Sequence, residues 1–263
     1  MKSKIIAIWF EKGGGGKTTT AFNLAAGLAR KSKKVLLVDV DPTAGSTKHA
    51  GLTPNTLQST LADPLLNVLR NIAPNTEEYL HRVESDPFDI LPANAFLDTI
   101  EDTVKKVFSG LEVGQALGGV LEPLKDKYDY IIIDCAPSTR IYNTSALAIA
   151  DEVIMPMRAN FLDFGGLDDA TDAVNTIKTN INPKLRNRGI LLTNYRHINH
   201  TRLIEEGLEC LKEEKGVETL QTRISHGVDV AEASMRGLSI YAYKKSGKQA
   251  KEYQSLVEEI LNG

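Results

Sequence analysis

Two cysteines, Cys135 and Cys210, are all that this chain of 263 residues contains. Two lone thiols rule out a disulfide framework and offer no metal-ligand spacing. Long apolar runs are also missing. Stretches such as Val35 to Val38 and Ile131 to Ile133 fall far short of the ~20 residues that a membrane helix needs. There is no excess of positive charge, since 31 Lys and Arg face 34 Asp and Glu for a net charge of -3. The molecule as a whole is therefore no polycation. Internal repeats, low-complexity tracts and an interdomain linker are absent, and the expectation is one domain spanning 1–263. The amino terminus enters an apolar run without the h-region and cleavage site of a signal peptide, so a cytosolic protein is expected.

What is present is alternation. Lys4 to Phe10, Lys34 to Val40, Tyr130 to Asp134, Asp151 to Pro156 and Arg188 to Thr193 read as short, nearly continuous apolar strands, as strands covered on both faces should. Between them the apolar spacing turns helical, over Thr18 to Arg30, Phe96 to Phe108, Gln115 to Lys127, Asn143 to Ala150, Leu167 to Asn180, His200 to Lys215, Val228 to Arg236 and Lys248 to Leu261. Strands alternating with helices predict an α/β fold, a doubly wound and mostly parallel sheet with helices on both faces. Thr53 to Asn94 is broken by Pro54, Pro64, Pro74, Pro87 and Pro92 and is expected to hold short helices and loops.

Between the first strand and the first helix runs Glu11-Lys12-Gly13-Gly14-Gly15-Gly16-Lys17-Thr18-Thr19. Strand, glycine loop and helix in that order are the setting of a phosphate loop. Glycines let successive backbone N–H groups turn inward around a phosphate, and the start of the helix adds its positive end. Lys17 would reach the β- and γ-phosphates, and Thr18 would offer its hydroxyl to Mg²⁺. A plain glycine-rich turn would leave the Lys-Thr pair after it unexplained. Two apolar strands end in carboxylates, in Asp39-Val40-Asp41-Pro42 and in Ile131-Ile132-Ile133-Asp134. Ligands bind at the carboxyl edge of such a sheet.

The common phosphate-loop pattern opens with glycine, whereas this one has Glu11 there and a lysine, Lys12, next to it. The loop resembles the deviant K-G-G-x-G-K-[ST]-T element of the ParA/MinD family of ATPases, and the resemblance extends from Lys4 to Leu261. It implies a P-loop NTPase fold and ATP with Mg²⁺ as ligands. Gly13, Gly14, Gly15, Gly16, Lys17, Thr18 and Thr19 would hold the phosphates. Lys12 matches the lysine that crosses a dimer interface to the partner's nucleotide. Asp41 matches the residue that orients the attacking water, and Asp39 and Asp134 would hold metal-bound waters beside Thr18. Asp134-Cys135-Ala136-Pro137-Ser138 resembles the family's switch II. Asn194 and the segment Ile224 to His226 match positions beside the adenine, although Asn194 also reads as a turn residue. Gly15 replaces a common valine and is expected to loosen the loop. Thr43 and Ala136 are further departures.

Within that family, a ParA-like DNA-partition ATPase is the expected subclass. The carboxyl-terminal helix carries Glu258 and Glu259, where a membrane anchor would need cations. The cysteines do not sit where a nitrogenase-type iron–sulfur cluster is ligated. The phosphate loop begins at residue 12, so no leading helix-turn-helix is expected. Ala173 to Ile204 and Ala233 to Lys251 lack acidic residues, which suits either a solvated face or contacts to a DNA backbone. Lys184, Arg186, Arg188, Arg202, Arg236, Lys244, Lys245 and Lys248 are the candidate DNA contacts. The implied partners are a second copy of the chain, nonspecific DNA and a ParB-like adaptor, with no membrane and with a nucleoid-associated cytoplasmic location. A positioning ATPase for a protein cargo, such as a carboxysome or a chemoreceptor array, shares these features. A metabolic ATP-dependent synthetase shares the loop alone.

Overall fold

The computed structural model describes residues 3–107, 110–137, 141–196 and 199–263. Its elements in chain order are β1 (Lys4–Ile8), α1 (Lys17–Arg30), β2 (Val35–Asp39), α2 (Gly45–His49), α3 (Ala62–Leu69), β3 (His81–Arg82), β4 (Asp89–Leu91), α4 (Phe96–Val107), α5 (Gly110–Leu121), β5 (Tyr130–Asp134), α6 (Ile141–Ile149), β6 (Glu152–Arg158), α7 (Phe161–Phe164), α8 (Leu167–Asn180), β7 (Arg186–Tyr195), α9 (Asn199–Lys215), β8 (Thr219–Ser225), α10 (Asp229–Met235), α11 (Ile240–Lys244) and α12 (Lys248–Asn262). The strands form one eight-stranded sheet in the order β3-β4-β2-β5-β1-β6-β7-β8. Every neighbouring pair is parallel except β3 with β4. The doubly wound α/β architecture expected from the alternation is the one observed.

Period-two alternation divides the central strands between two cores. Ile5, Ala7, Leu36, Val38, Ile131 and Ile133 face one side, where residues of α3, α5, α6 and α8 close the layer. Ile6, Ile8, Val35, Leu37 and Ile132 face the other, which is closed by α1, α11 and α12. With both faces covered, the central strands are buried throughout, and this is why they read as unbroken apolar runs.

Several expectations shift. The strand expected over Arg188 to Thr193 runs from Arg186 to Tyr195, and α5 ends at Leu121, where Glu122–Leu124 tightens into a 3₁₀ turn containing Pro123. Three strands were not anticipated, one of them the two-residue β3. β8 is an edge strand in which only Leu220 and Ile224 are buried, so it shows no apolar run. β4 is three residues long and lies between Pro87 and Pro92, inside the segment expected to hold loops and short helices. Phe108, the expected end of α4, lies outside the described residues.

The helix after the glycine loop is held by one buried side chain. Asn23 in α1 donates from Nδ2 to the Thr19 carbonyl at 2.9 Å and accepts the Ile240 N–H on Oδ1 at 2.8 Å. It thereby fixes the first turn of α1 to the first turn of α11. Asn23→Ala leaves the Ile240 N–H buried and unpaired. The expected loss is about 1–3 kcal/mol of unfolding free energy, read as a lowered urea midpoint with an unchanged slope.

Candidate nucleotide site

The loop and the carboxylates meet at the carboxyl edge of the sheet because three strands run parallel in register. Ile8 of β1 lies opposite Asp134 of β5, and Asp134 lies opposite Asp39 of β2. The glycine loop leaves β1 directly above these two carboxylates. Gly16 has φ +87° and precedes the first residue of α1, Lys17, so the free N–H groups of the first helical turn face the loop's interior. A cavity of about 330 Å³ opens there, lined by Gly13, Gly14, Gly16 and Lys17 to Thr19 on one side and by Asp41 and Pro137 on the other.

Gly15 lies outside that lining, buried beneath the loop. A Cβ at this position would stand 2.6 Å from the Pro156 carbonyl oxygen, closer than packed atoms allow. The Gly15 carbonyl also accepts the Thr193 hydroxyl at 2.8 Å. Gly15 is thus seated tightly against β6 and β7, which corrects the expectation that it loosens the loop.

Lys17 is 6% exposed and donates to the Lys12 carbonyl at 2.8 Å. Burial lowers its pKa, and the carboxylates of Asp134, Asp41 and Asp163 and the Cys135 thiol partly counter this. Lys12 lies along the opposite flank, its side chain crossing the bare Cα of Gly166, where a Cβ would stand 2.5 Å from Cε.

The three carboxylates occupy different environments. Asp39 is fully buried and already engaged. Its Oδ2 accepts the Thr47 N–H and hydroxyl at 2.9 and 2.8 Å, and its Oδ1 accepts the Asp41 N–H at 3.1 Å. Burial pushes its pKa up to about 6, against those hydrogen bonds. Asp134 is fully buried too, and its Oδ2 accepts the Ser46 hydroxyl at 2.8 Å. Burial first, and Asp39 next, drive its pKa well above the usual range. Its Oδ1 has no hydrogen-bond partner among the described residues. Asp41 is 7% exposed and faces the cavity, with its Oδ1 accepting the Thr43 N–H at 2.8 Å.

This donor set fits a magnesium ion. Among the described residues no three His, Cys, Asp or Glu side chains converge to cage a metal. A hard cation that keeps its waters needs no such cage. The buried Oδ1 of Asp134 lies within hydrogen-bond distance of no partner among the described residues, the Thr18 hydroxyl lies near enough to this carboxyl to lower its pKa, and such an acceptor suits the ion's water shell. Ser46 and Thr47 enter the site from α2 without having been singled out in the sequence. They lie 88 and 8 residues from the carboxylates they bind, and no spacing rule connects them.

At the far side of the loop, Thr193 packs against Gly16. Asn194, at φ +50°, carries a carboxamide oxygen that meets Nδ1 of His226. The two candidates for the adenine edge are thus adjacent. Ile224, the first residue of the same segment, is in the core at 4% exposed. Cys135 is buried and Cys210 exposed. Ser138, the last residue of the switch-II resemblance, lies outside the described residues.

The candidate DNA contacts do not form one patch. Lys184, Arg186 and Arg188 lie at the start of β7, the edge opposite the glycine loop. The Arg188 side chain is 7% exposed, turned toward Glu152 at 3.8 Å and donating to the Glu259 carbonyl at 2.6 Å, so it presents no surface cation. Arg202, Arg236, Lys244 and Lys248 belong to the loop's edge, on or next to α9 to α12, whereas Lys245 lines a pocket with Arg30 and Lys31 at the far end of α1. Stretches free of acids in sequence are not free of them in space. Lys244 pairs with Asp229 at 3.0 Å, Arg202 with Glu206 at 3.0 Å and Lys248 with Glu252 at 3.8 Å. Among the described residues no helix is long and apolar enough to cross a membrane. The apolar face of α12, with Tyr253, Leu256, Val257 and Ile260, is buried in the core.

The carboxylate pair predicts a pH dependence. An Asp held at about 6 in the fold, against about 3.9 in an unfolded chain, binds its proton more tightly when folded. Its contribution to stability is complete in acid and is lost as pH rises through 6. In EDTA and without nucleotide, the denaturation midpoint should fall from pH 5 to pH 7. Asp39→Asn should flatten that fall by removing the group whose pKa the fold raises. A variant as steep as the parent chain would contradict this assignment.

Comparison with known proteins agrees with this geometry. The chain matches the AAA domain family (AAA_31) over residues 3–187. It is 33% identical over 262 residues to the chromosome partitioning protein ParA of Myxococcus xanthus, covering 98% of this chain and 88% of that one. Its structure resembles that of cobyrinic acid a,c-diamide synthase from Mycobacterium smegmatis with bound ADP and magnesium. That comparison has a TM-score of 0.82 and 25% identity and covers 99% and 94% of the two chains. It also resembles the septum site-determining protein MinD of Pyrococcus horikoshii complexed with Mg-ADP, with a TM-score of 0.74 and 25% identity over 99% and 98%. A phosphate loop headed by Lys12, two buried strand-end carboxylates beneath it and these likenesses across the whole chain lead to one conclusion: the chain belongs to the ParA/MinD family of P-loop ATPases.

Proposed function

We propose that the chain is a DNA-partition ATPase of the ParA type, a single nucleotide-binding domain that acts as an ATP-dependent dimer in the cytoplasm. The observation that carries this reading is Lys12, which stands on the flank of the loop while Lys17 fills the loop's interior. A loop serving one subunit alone needs only the interior lysine. A second lysine on the outer flank suits a phosphate that arrives from a second copy.

ATP is the substrate. Gly13 to Thr19 would hold its phosphates through inward backbone N–H groups, with Lys17 on the β- and γ-phosphates and Asn194 at the adenine edge. Thr18 and Asp134, with Asp39 behind them, would hold Mg²⁺, which when bound offsets phosphate charge. Asp41 faces the cavity and would orient the attacking water. Lys17 and Lys12 would offset charge that develops on the transferred group. Asp39 acts chiefly as a girder, since both of its oxygens are taken by α2 and the β2 turn.

The exposed cations of the loop's edge, Arg202, Arg236, Lys244 and Lys248, support nonspecific DNA binding, with Lys245 set apart toward the far end of α1. Doubling them in a dimer would raise a field that the ion pairs of one subunit mute. Release would follow hydrolysis stimulated by a ParB-like adaptor. The likeness to a diamide synthase favours a second reading, a synthetase whose turnover needs a small acid and ignores DNA.

Lys12→Ala should keep ADP affinity yet lose the ATP-dependent dimer in light scattering, and a persisting dimer would contradict the cross-subunit role. Asp41→Ala should dimerise with ATP but release no phosphate above background. Binding to random DNA should require ATP and fall on the order of a hundredfold or more between about 50 and about 200 mM salt. DNA binding indifferent to ATP, with turnover dependent on a small molecule, would favour the synthetase.

A further inference from the structure

A second cation flanks the phosphate loop, and neither the loop pattern nor the strand-end carboxylates account for it. Arg158 ends β6. Its guanidinium lies flat against Gly14, the exposed residue of the loop with φ +79°. A Cβ at Gly14 would stand 3.3 Å from Cζ, Nη1 and Nη2 alike. The phosphate cavity itself does not reach Arg158, so the group stands outside its own subunit's site, on the rim.

The rim position is built. Asp163 is 3% exposed and grips Arg158 at both ends of the fork, accepting from Nε at 3.0 Å and from Nη2 at 3.2 Å. It also accepts the Arg158 backbone N–H at 3.2 Å. Asp163 is set in turn by Asn160, whose Oδ1 caps α7 by accepting the Asp163 N–H at 2.9 Å. Nη1 donates to no acceptor among the described residues, and the Arg158 side chain remains 40% exposed. The same short segment carries Gly166, which bears the Lys12 side chain, and Phe161, 81% exposed on α7. One turn of chain thus holds two cations beside the loop and presents an uncovered aromatic ring next to them. A carboxylate buried behind a half-exposed guanidinium fixes its direction and leaves one edge for an outside anion.

We propose that Arg158 is a second cross-subunit cation, which meets the triphosphate of the nucleotide held by a second copy of this chain. The assignment rests on the ATP-dependent dimer proposed above and adds a residue to its interface. Asp163 is a positioning residue acting through Arg158, and the bare Cα of Gly14 lets the guanidinium lie against the loop.

The test uses the full chain, a non-hydrolysable ATP analogue with Mg²⁺, and two readouts: dimer dissociation by analytical ultracentrifugation, and ADP affinity of the monomer by fluorescence titration. Arg158→Ala should weaken the dimer on the order of ten- to a hundredfold, the size of one lost charge-assisted contact, with ADP affinity unchanged. Arg158→Lys should recover part of the loss, because it keeps the charge without the fork. Asp163→Asn should weaken the dimer in the same direction, with a melting temperature confirming that it folds. If the parent chain dimerises and Arg158→Ala dimerises equally well, the assignment of Arg158 fails while the dimer reading stands. Equal losses in ADP affinity and dimerisation would make Arg158 a brace for its own loop and overturn the proposal. A parent chain that forms no ATP-dependent dimer would overturn both.

Discussion

The in-register parallel pairing of β1, β5 and β2 is the constraint on which the site depends. It sets Asp134 abreast of Asp39 and both beneath the loop that leaves β1. Two carboxylates side by side in a dry space repel one another and lack water, and each alone costs free energy. The surroundings compensate from every direction. Thr47 and the Asp41 N–H satisfy Asp39, Ser46 satisfies one oxygen of Asp134, and Lys17 lies among carboxylates that partly counter the lowering of its pKa by burial. The remaining Asp134 oxygen has no hydrogen-bond partner among the described residues. The site is therefore least comfortable without a metal, which makes metal and nucleotide binding part of its stability.

Two short segments flank the site, α2 tied to its carboxylates by hydrogen bonds and residues 158–166 in contact with the loop. On the β2 side, α2 places Ser46 and Thr47 on the carboxylates, and Thr47 also accepts the Ala93 N–H after β4. On the β6 side, residues 158–166 place Arg158 beside Gly14 and carry Lys12. Beneath the loop, Gly15 is pressed on the Pro156 carbonyl, and its own carbonyl accepts the Thr193 hydroxyl. A phosphate cradle must keep several N–H groups aimed at one point, and these contacts provide that stiffness. Asn23 does the same for the helix that starts inside the cradle.

Much of this was legible in the chain. The loop pattern requires particular backbone freedom at successive positions, so it shows as consecutive glycines. Central strands covered on both faces show as apolar runs, and their terminal carboxylates stand out against those runs. The edge strand β8 and the three-residue β4 were not legible, since one buries only Leu220 and Ile224 and the other is framed by prolines. Surface charge misled most. Arg188 lies in an acid-free stretch, yet it turns inward to Glu152, and Lys244 finds Asp229 across a helix pair.

The sequence by itself determined the fold class, and it singled out the glycine loop with Lys12 and Lys17 and the carboxylates Asp39, Asp41 and Asp134 as the candidate site. Each of these follows from backbone conformation or from periodicity along a few consecutive residues. The tertiary structure alone decided that both oxygens of Asp39 are engaged while Oδ1 of Asp134 has no partner among the described residues, that Ser46 and Thr47 lie on these carboxylates, that Gly15 is clamped, and that Arg158 stands beside Gly14. Those outcomes depend on hydrogen-bond partners and carbonyls brought together across the sheet from distant parts of the chain. A through-space contact leaves no period and no spacing behind it.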